Sequence, residues 1–370
     1  MRFRYSIIWG LWISSAASAQ SPQQTIEAVR QQYAPDKRTA IFQVVVDSVG
    51  VLRGKTSLPA ARTDLLNRLQ QQGIVFTDSI QVLPAKTLEE KTYAVVNVSV
   101  ANLRSNPRDA AELATQALLG TSLRVWDKER GWYLAQTPDQ YIAWVDFGGI
   151  QRMTKTELNA WEKSEKLIYT RPFGFCYSQP DPNAQTVSDL VAGDVLVLEK
   201  REKKFFRVRY PDGRIGYVAR SEAQPLAEWQ AAARPTEENL VRTARSLMGI
   251  PYLWGGTSVK GMDCSGFTKT VYRLNGQELQ RDASQQVYEG ALVETPGGDF
   301  SRLRPGDLLF FGEPARPDRP ERVVHVGMWL GKGEFIHASG RIRISSLDPA
   351  ASNFDEAELK RFLRAKRVRK

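Results

Sequence analysis

Imidazole and thiol are both scarce in this chain of 370 residues. It contains two histidines, His325 and His337, and two cysteines, Cys176 and Cys264. Two cysteines cannot staple a disulfide scaffold, and a bridge between them would silence any reactive thiol, so both are expected to be free. No cysteine precedes Cys176, which excludes lipid attachment at a cysteine near the start. The apolar run from Tyr5 to Ile13 is too short for a membrane span, which needs about 20 residues. It follows the basic start Met1-Arg2-Phe3-Arg4 and leads to Ala17-Ser18-Ala19. That is the three-part pattern of a signal peptide over residues 1–19, cut after Ala19. The expectation is an exported protein, secreted, periplasmic or envelope-associated, with no stable membrane insertion.

The formal charge is +10, and seven of the eleven residues from Lys360 to Lys370 are basic. Phe362, Leu363, Ala365 and Val368 interrupt that block, which fits a terminal helix and an edge strand better than a nucleic-acid arm. Nucleic acid is therefore not expected as a partner, and no dedicated protein partner is evident. The positive charge suits an anionic polymer such as a bacterial wall.

The middle of the chain repeats itself at an offset of 73 residues. Gly120 matches Gly193, Leu123 matches Leu196 and Trp132 matches Phe205. Pro138-Asp139 matches Pro211-Asp212, Ile142 matches Ile215, and Trp144-Val145 matches Tyr217-Val218. Each copy alternates like short strands around a Pro-Asp turn, the pattern of a small all-β barrel. Both copies resemble bacterial SH3 domains, and the expected boundaries are 91–160 and 161–228. Ahead of them, residues 20–90 read as a small α+β region. It has helices over Thr25–Tyr33 and Ala60–Gln72, and strands over Ala40–Val46 and near Val49–Leu52, with no chemical motif.

A different pattern starts near residue 235. Thr236 caps a helix with Glu237 and Glu238 in its first turn. Leu240, Ala244 and Leu247 form its buried stripe, and Gly249 ends it. After the turn Pro251-Tyr252-Leu253-Trp254-Gly255-Gly256, Asp263 reads as the N-cap of a helix that opens on Cys264 and stops near Gly276. A thiol there meets the partial positive charge of a helix start, which lowers its pKa and favours the nucleophilic thiolate. Cys176, in Phe173-Gly174-Phe175-Cys176-Tyr177, reads instead as a core thiol. Val323–Trp329 and Glu334–Ala338 alternate like strands joined at a turn near Gly331-Lys332-Gly333. Such a hairpin sets His325 and His337 beside each other on one face. One can then serve as base and the other as the group that orients it. A zinc site is the rival chemistry, but one cysteine and two histidines fall short of four ligands.

Several ordered motifs now converge. Pro251-Tyr-Leu-Trp-Gly-Gly, Asp263-Cys-Ser-Gly-Phe, Arg281-Asp-Ala-Ser-x-Gln, Leu303-Arg-Pro-Gly-Asp-Leu-Leu-Phe-Phe, His325-Val-Gly and Phe335-Ile-His-Ala-Ser-Gly together resemble the NlpC-type, papain-like cell-wall cysteine peptidases. The resemblance covers about residues 236–370. With two SH3-like units in front, the chain as a whole resembles the γ-D-glutamyl-L-diamino acid endopeptidases of the dipeptidyl-peptidase VI type. The fold it implies is α+β: a papain-like catalytic domain over 235–370, preceded by two SH3-like barrels and the short N-terminal region. The function it implies is hydrolysis of the γ-D-glutamyl–L-diamino acid bond in murein stem peptides carrying a free N-terminal L-alanine. Peptidoglycan stem peptides are then the partner, and neither a cofactor nor a metal is implied.

By the same resemblance Cys264 is the nucleophile, His325 the base and His337 the orienting residue. The Cys264 backbone N–H and the Tyr252 hydroxyl form the oxyanion hole. Asp263, Ser265, Asp282 and Ser284 line the substrate cleft, Trp254 walls it, and Tyr141 of the first barrel closes it over the substrate amine. Plainer roles stand beside these. Asp263 is also a helix cap, Asp282 can pair with Arg281 at the surface, and Tyr252 and Trp254 can simply pack. Two other functions remain open, a murein amidase or acyltransferase on the same fold, and a wall-binding protein without catalysis.

Overall fold

The computed structural model describes residues 21–369, so the expected signal peptide at 1–19 lies outside the described residues. Among the described residues, no helix is long and apolar enough to cross a membrane. The chain divides into two compact units that meet at Leu83 and Pro84.

In the first unit, Ser21 and Gln24 close a capping box around the start of α1 (Pro22–Tyr33). Strands β1 (Phe42–Val46) and β2 (Val51–Thr56) pair antiparallel, and β3 (Thr77–Val82) joins β2 in parallel after the crossover helix α2 (Pro59–Gln71). Ile26 and Val29 of α1, with Leu65 and Leu69 of α2, bury against Phe42, Val44 and Leu52. The second strand starts at Val51 rather than near Val49, because Asp47 draws the chain into a turn. Its Oδ1 accepts the N–H groups of Val49 and Val51, at 3.1 and 2.9 Å. This unit ends short of residue 90 because Leu88 belongs to the core of the next barrel.

The second unit holds two barrels of like design. The first is built from β4 (Tyr93–Val96), β5 (Val100–Arg104), β6 (Leu113–Leu118), β7 (Ser122–Glu129), β8 (Trp132–Gln136), β9 (Ile142–Asp146) and β10 (Ile150–Met153), in the order β10-β4-β7-β8-β9-β5-β6. Helix α3 (Lys155–Lys163), with a Thr154–Glu157 capping box, leads to the second barrel. That barrel comprises β11 (Lys166–Tyr169), β12 (Phe173–Tyr177), β13 (Thr186–Val191), β14 (Val195–Arg201), β15 (Phe205–Arg209), β16 (Ile215–Ala219) and β17 (Ala223–Pro225). Its order, β17-β11-β14-β15-β16-β12-β13, is the same, and each strand begins 73 residues after its counterpart, as Tyr93 and Lys166 or Val100 and Phe173 do. The sequence offset thus records one hydrogen-bonding plan used twice. The barrels join where Val195 N–H meets Leu119 O at 3.0 Å. Gly120 allows the approach: it has φ +83°, and a Cβ there would lie 2.2 Å from the Val195 carbonyl oxygen. Cys176 is fully buried under the second barrel's sheet, and burial pushes its thiol up to about 11.

After α4 (Leu226–Ala232) comes the last third of the chain. Thr236 caps α5 (Glu237–Ser246), whose Leu240 and Ala244 are buried. The two-stranded ribbon β18 (Thr257–Ser258) and β19 (Gly261–Met262) precedes α6 (Cys264–Arg273) and the short α7 (Ala283–Gln286). A six-stranded sheet follows, in the order β20-β25-β21-β22-β23-β24. Its strands are β20 (Ala291–Val293), β21 (Leu308–Glu313), β22 (Arg322–Gly331), β23 (Glu334–Ser339), β24 (Arg341–Ser346) and β25 (Phe362–Arg367), with α8 (Glu356–Lys360) before the last. Phe267 and Val271 of α6 pack on Leu308, Phe310, Val326, Met328 and Ile336 of this sheet. The terminal strand β25 is not at the edge, as expected from its charge, but between β20 and β21. Ala365 is its fully buried contribution, and Arg367, two residues on, pairs with the buried Asp307 at 2.7 Å.

Candidate active site

Asp263 takes an extended backbone and its Oδ1 accepts the Gly266 N–H at 2.7 Å, which starts α6 with Cys264 in its first turn. The thiol faces β22, where the Val326 backbone N–H reaches it. The β22–β23 hairpin turns through Lys332 and Gly333, both at positive φ, with Met328 paired to Ile336. Continuing that register sets Gly327, not His325, opposite His337. The two imidazoles therefore meet diagonally rather than side by side, over a glycine that leaves room for the rings. His325 Nε2 lies 2.8 Å from His337 Nδ1, which leaves His325 Nδ1 outside the contact between the two rings. His337 Nε2 lies 3.1 Å from Ser345 Oγ.

Cys264 and His325 are both buried, and each is held neutral. Burial, then the neighbouring Asp263 carboxylate, pushes the Cys264 thiol up to about 12. The helix start was expected to lower it, but loss of water and a nearby negative charge outweigh that dipole. Burial brings His325 down to about 4, with Glu358 acting in the opposite direction. Burial and the adjoining His325 bring His337 down to about 2. Proton transfer from a thiol to an imidazole would create a pair of opposite charges, which burial opposes less than either charge alone.

Both carboxylate oxygens of Asp263 are engaged within the protein. Oδ2 accepts from Gly255 N–H at 2.9 Å and from Arg281 Nη2 at 2.6 Å, and Oδ1 also receives Arg281 Nη1 at 3.1 Å. Ser265 is tied in as well, accepting Arg281 Nη1 at 3.0 Å while donating to Asp263. Asp263, Ser265 and Arg281 thus form one buried clamp at the start of α6. Its centre is Arg281, whose role the sequence did not suggest. Arg281 is 1 % exposed rather than superficial, and stands 3.9 Å from Asp282 instead of pairing closely with it. Burial opposes its charge, but Asp263 more than offsets this and holds its pKa above the ordinary arginine value. Its Nε donates to Thr115 Oγ1 at 3.0 Å, which ties the clamp to the first barrel.

The first barrel reaches the catalytic domain through several side chains. Tyr141 donates its hydroxyl to Asp282 Oδ2 at 3.3 Å, bringing those two candidates together. Asp282 also opens α7 in a capping box with Gln285, and the half-buried Ser284 lies in that helix. Trp254 is 62 % exposed on the rim and donates Nε1–H to Glu112 Oε1 of the first barrel at 2.6 Å. Tyr252 sits beside the thiol. Burial, then the charges of Cys264 and Asp263, push its hydroxyl up to about 12, so it remains a donor. Gln116 fastens the ribbon before α6, accepting the Thr257 N–H at 2.9 Å. Nothing in the catalytic motifs signals Glu112, Thr115 or Gln116, which lie more than 100 positions upstream.

Glu358 was also unforeseen. It is buried, paired with Arg361, and places Oε1 3.7 Å from His325 Nε2. His325, His337 and Glu358 offer donor atoms within 4.8 Å of one another, a set of the right chemistry for zinc. To hold an ion they would have to give up the 2.8 Å imidazole contact and the Glu358–Arg361 pair.

Residues 249–359 match the NlpC/P60 family. The chain carries an NlpC/P60 cysteine-peptidase domain. Residues 103–147, within the first barrel, match the bacterial dipeptidyl-peptidase SH3 domain. The γ-D-glutamyl-L-lysine dipeptidyl-peptidase of Bacillus cereus is 29 % identical over 236 residues, covering 62 % of this chain and 68 % of its own. Dipeptidyl-peptidase 6 of Lysinibacillus sphaericus is 29 % identical over 264 residues, covering 69 % and 92 %. Among solved structures, an NlpC/P60 family protein from Bacillus cereus superposes with TM-score 0.64 at 23 % identity, over 75 % of this chain and all of that one. An NlpC/P60 endopeptidase from Photobacterium damselae superposes with TM-score 0.55 at 14 % identity, over 93 % and 89 %. These two likenesses concern the fold.

Proposed function

We propose that this NlpC/P60 enzyme hydrolyses the γ-D-glutamyl–L-diamino acid bond of wall-derived stem peptides that carry a free N-terminal L-alanine. The observation that carries the reading is the Tyr141–Asp282 contact between the first barrel and α7. It sets a carboxylate and a phenolic oxygen at the junction of barrel and catalytic domain, and both can receive N–H bonds from a terminal ammonium. The relatives named for this dipeptidyl-peptidase activity support the same substrate class.

In this reading His325 Nδ1 takes the Cys264 proton as the sulfur attacks the γ-carbonyl. The Cys264 N–H, unpartnered within the helix at its first turn, and the Tyr252 hydroxyl receive the developing oxyanion. His325 then returns the proton to the departing amine of the diamino acid, leaving a thioester. Water, activated by the same nitrogen, releases L-Ala-γ-D-Glu and restores the thiol. Ser284 and Trp254 border the peptide. The enzyme would work in the cell envelope, exported by residues 1–19.

The test is mass spectrometry of L-Ala-γ-D-Glu-diaminopimelate incubated with the wild type and with Cys264→Ala. Release of L-Ala-γ-D-Glu by the wild type alone is expected, with sharply reduced turnover once the alanine is N-acetylated. Equal rates on free and acetylated peptide would remove the amine-recognition reading, and turnover by Cys264→Ala would remove the nucleophile.

A further inference from the structure

We propose that Ser345 and Asp355 are positioning residues that fix the tautomers of both histidines, so that His325 presents a bare Nδ1 to Cys264. The idea rests on the thiol–imidazole reading above, but the arrangement can be tested without any substrate. Asp355 receives three donors: the Glu358 backbone N–H on Oδ1 at 3.2 Å, and on Oδ2 the Arg343 guanidinium at 3.2 Å and the Ser345 hydroxyl at 3.3 Å. A hydroxyl owns a single hydrogen. With that hydrogen directed at Asp355, Ser345 Oγ can only accept from His337 Nε2, 3.1 Å away. His337 therefore carries its proton on Nε2.

A neutral imidazole has one N–H, so His337 Nδ1 is bare and accepts from His325 Nε2 at 2.8 Å. His325 is then protonated on Nε2 and bare on Nδ1. Glu358 favours the same arrangement independently, because its Oε1 lies 3.7 Å from that Nε2. The opposite polarity would put Ser345 as donor to His337, a proton on His337 Nδ1, and a proton on the His325 nitrogen that must receive the thiol's. A base so protonated cannot act. In the productive polarity the step balances within two residues. The S–H bond breaks, its electron pair stays on sulfur, an Nδ1–H bond forms, and the imidazolium keeps its Nε2–H toward His337. Asp355 takes no proton; it sets the direction of the chain.

The chain's two histidines make the test direct, since the imidazole spectrum holds four nitrogens. Two-bond ¹H–¹⁵N spectra of the full chain, labelled at histidine and recorded near pH 7 without substrate, should show both residues protonated at Nε2. An Nδ1–H form of either, or a mixture, in the wild type would overturn the proposal. In Ser345→Ala and Asp355→Asn, mixed tautomers are expected, with alkylation of Cys264 by iodoacetamide and kcat both slowed roughly 10-fold or more and KM little changed. Ser345→Thr keeps the hydroxyl and should restore the single tautomer and the rates. Unchanged tautomers and rates in both disabled variants would overturn the assignment. If either variant fails to fold, the wild-type spectrum and the threonine variant still decide. Wild-type tautomers as expected, beside a peptide that is never cleaved, would uphold this inference while removing the substrate reading.

Discussion

Arg281→Met removes one partner of a buried ion pair while keeping much of the side-chain volume. Arg281 and Asp263 side chains are 1 % and 10 % exposed, with Nη2 and Oδ2 2.6 Å apart. Breaking such a pair from one side costs about 3–5 kcal/mol, because the remaining charge is left without its counterion. Asp263 would keep the Gly255 and Gly266 N–H groups, which places the expected loss near the lower end, about 3 kcal/mol. Ser265 and Thr115 would lose their donor in the same stroke. Urea unfolding followed by tryptophan fluorescence measures the difference. The double variant Asp263→Asn/Arg281→Met discriminates the cause. If the stranded charge dominates, the two substitutions together should cost less than their sum, by about 2 kcal/mol or more. Arg281→Lys, which keeps charge but not the planar fork, should fall between wild type and Arg281→Met. A cost under about 1 kcal/mol for Arg281→Met would refute the reasoning, since Asp263 would then be stabilised without its partner.

Acid should weaken the protein through its histidines. The folded His325, near 4 through burial against Glu358's opposing pull, sits below its ordinary 6.5, so the unfolded chain binds the proton first. The stability it contributes is complete above pH 6.5 and is lost as pH falls toward 4, about 2 kcal/mol at pH 5; unfolding at pH 7 and pH 5 should show the loss shrink in His325→Gln. Gly120→Ala should cost about 2–4 kcal/mol, since its Cβ would strike the Val195 carbonyl at positive φ. The matching change at Gly213, also at positive φ but with nothing within 4 Å, should cost only about 1–2 kcal/mol, and melting temperatures compare the two. Tyr141→Phe removes the hydroxyl bonded to Asp282 and should leave melting nearly unchanged. Its KM for free-amine peptide should rise roughly 10-fold, the value of about one charge-assisted hydrogen bond. An equal rise for acetylated peptide would count against that role.

What could be read ahead of the structure was governed by nearest neighbours in the chain. Thr236 and Asp263 begin helices as their side chains dictate, because a cap bonds a backbone N–H three residues on. The 73-residue repeat reappears strand for strand, since identical spacing of apolar and turn residues builds identical ladders. The hairpin at Lys332-Gly333 brings the two histidines together for the same local reason, though the register makes their contact diagonal. Where reading failed, local cues met a distant competitor. The charged terminal strand looked like an edge, yet β20 covers its outer side. Arg281 looked like a surface partner of Asp282, yet it is buried and bonded to Asp263 and Ser265, 18 and 16 positions away.

The sequence by itself therefore determined the modules, their order and the identity of the thiol and imidazoles, because caps, turns and alternation act over a few residues. Only the tertiary structure decided how those groups are held. Arg281 reaches Thr115 across 166 positions, Trp254 reaches Glu112 across 142, and Tyr141 reaches Asp282 across 141. Burial likewise lifts the thiol and lowers both imidazoles, and it belongs to no segment alone. Such terms depend on which surfaces exclude water from one another, and that is settled when α6 packs against the six-stranded sheet.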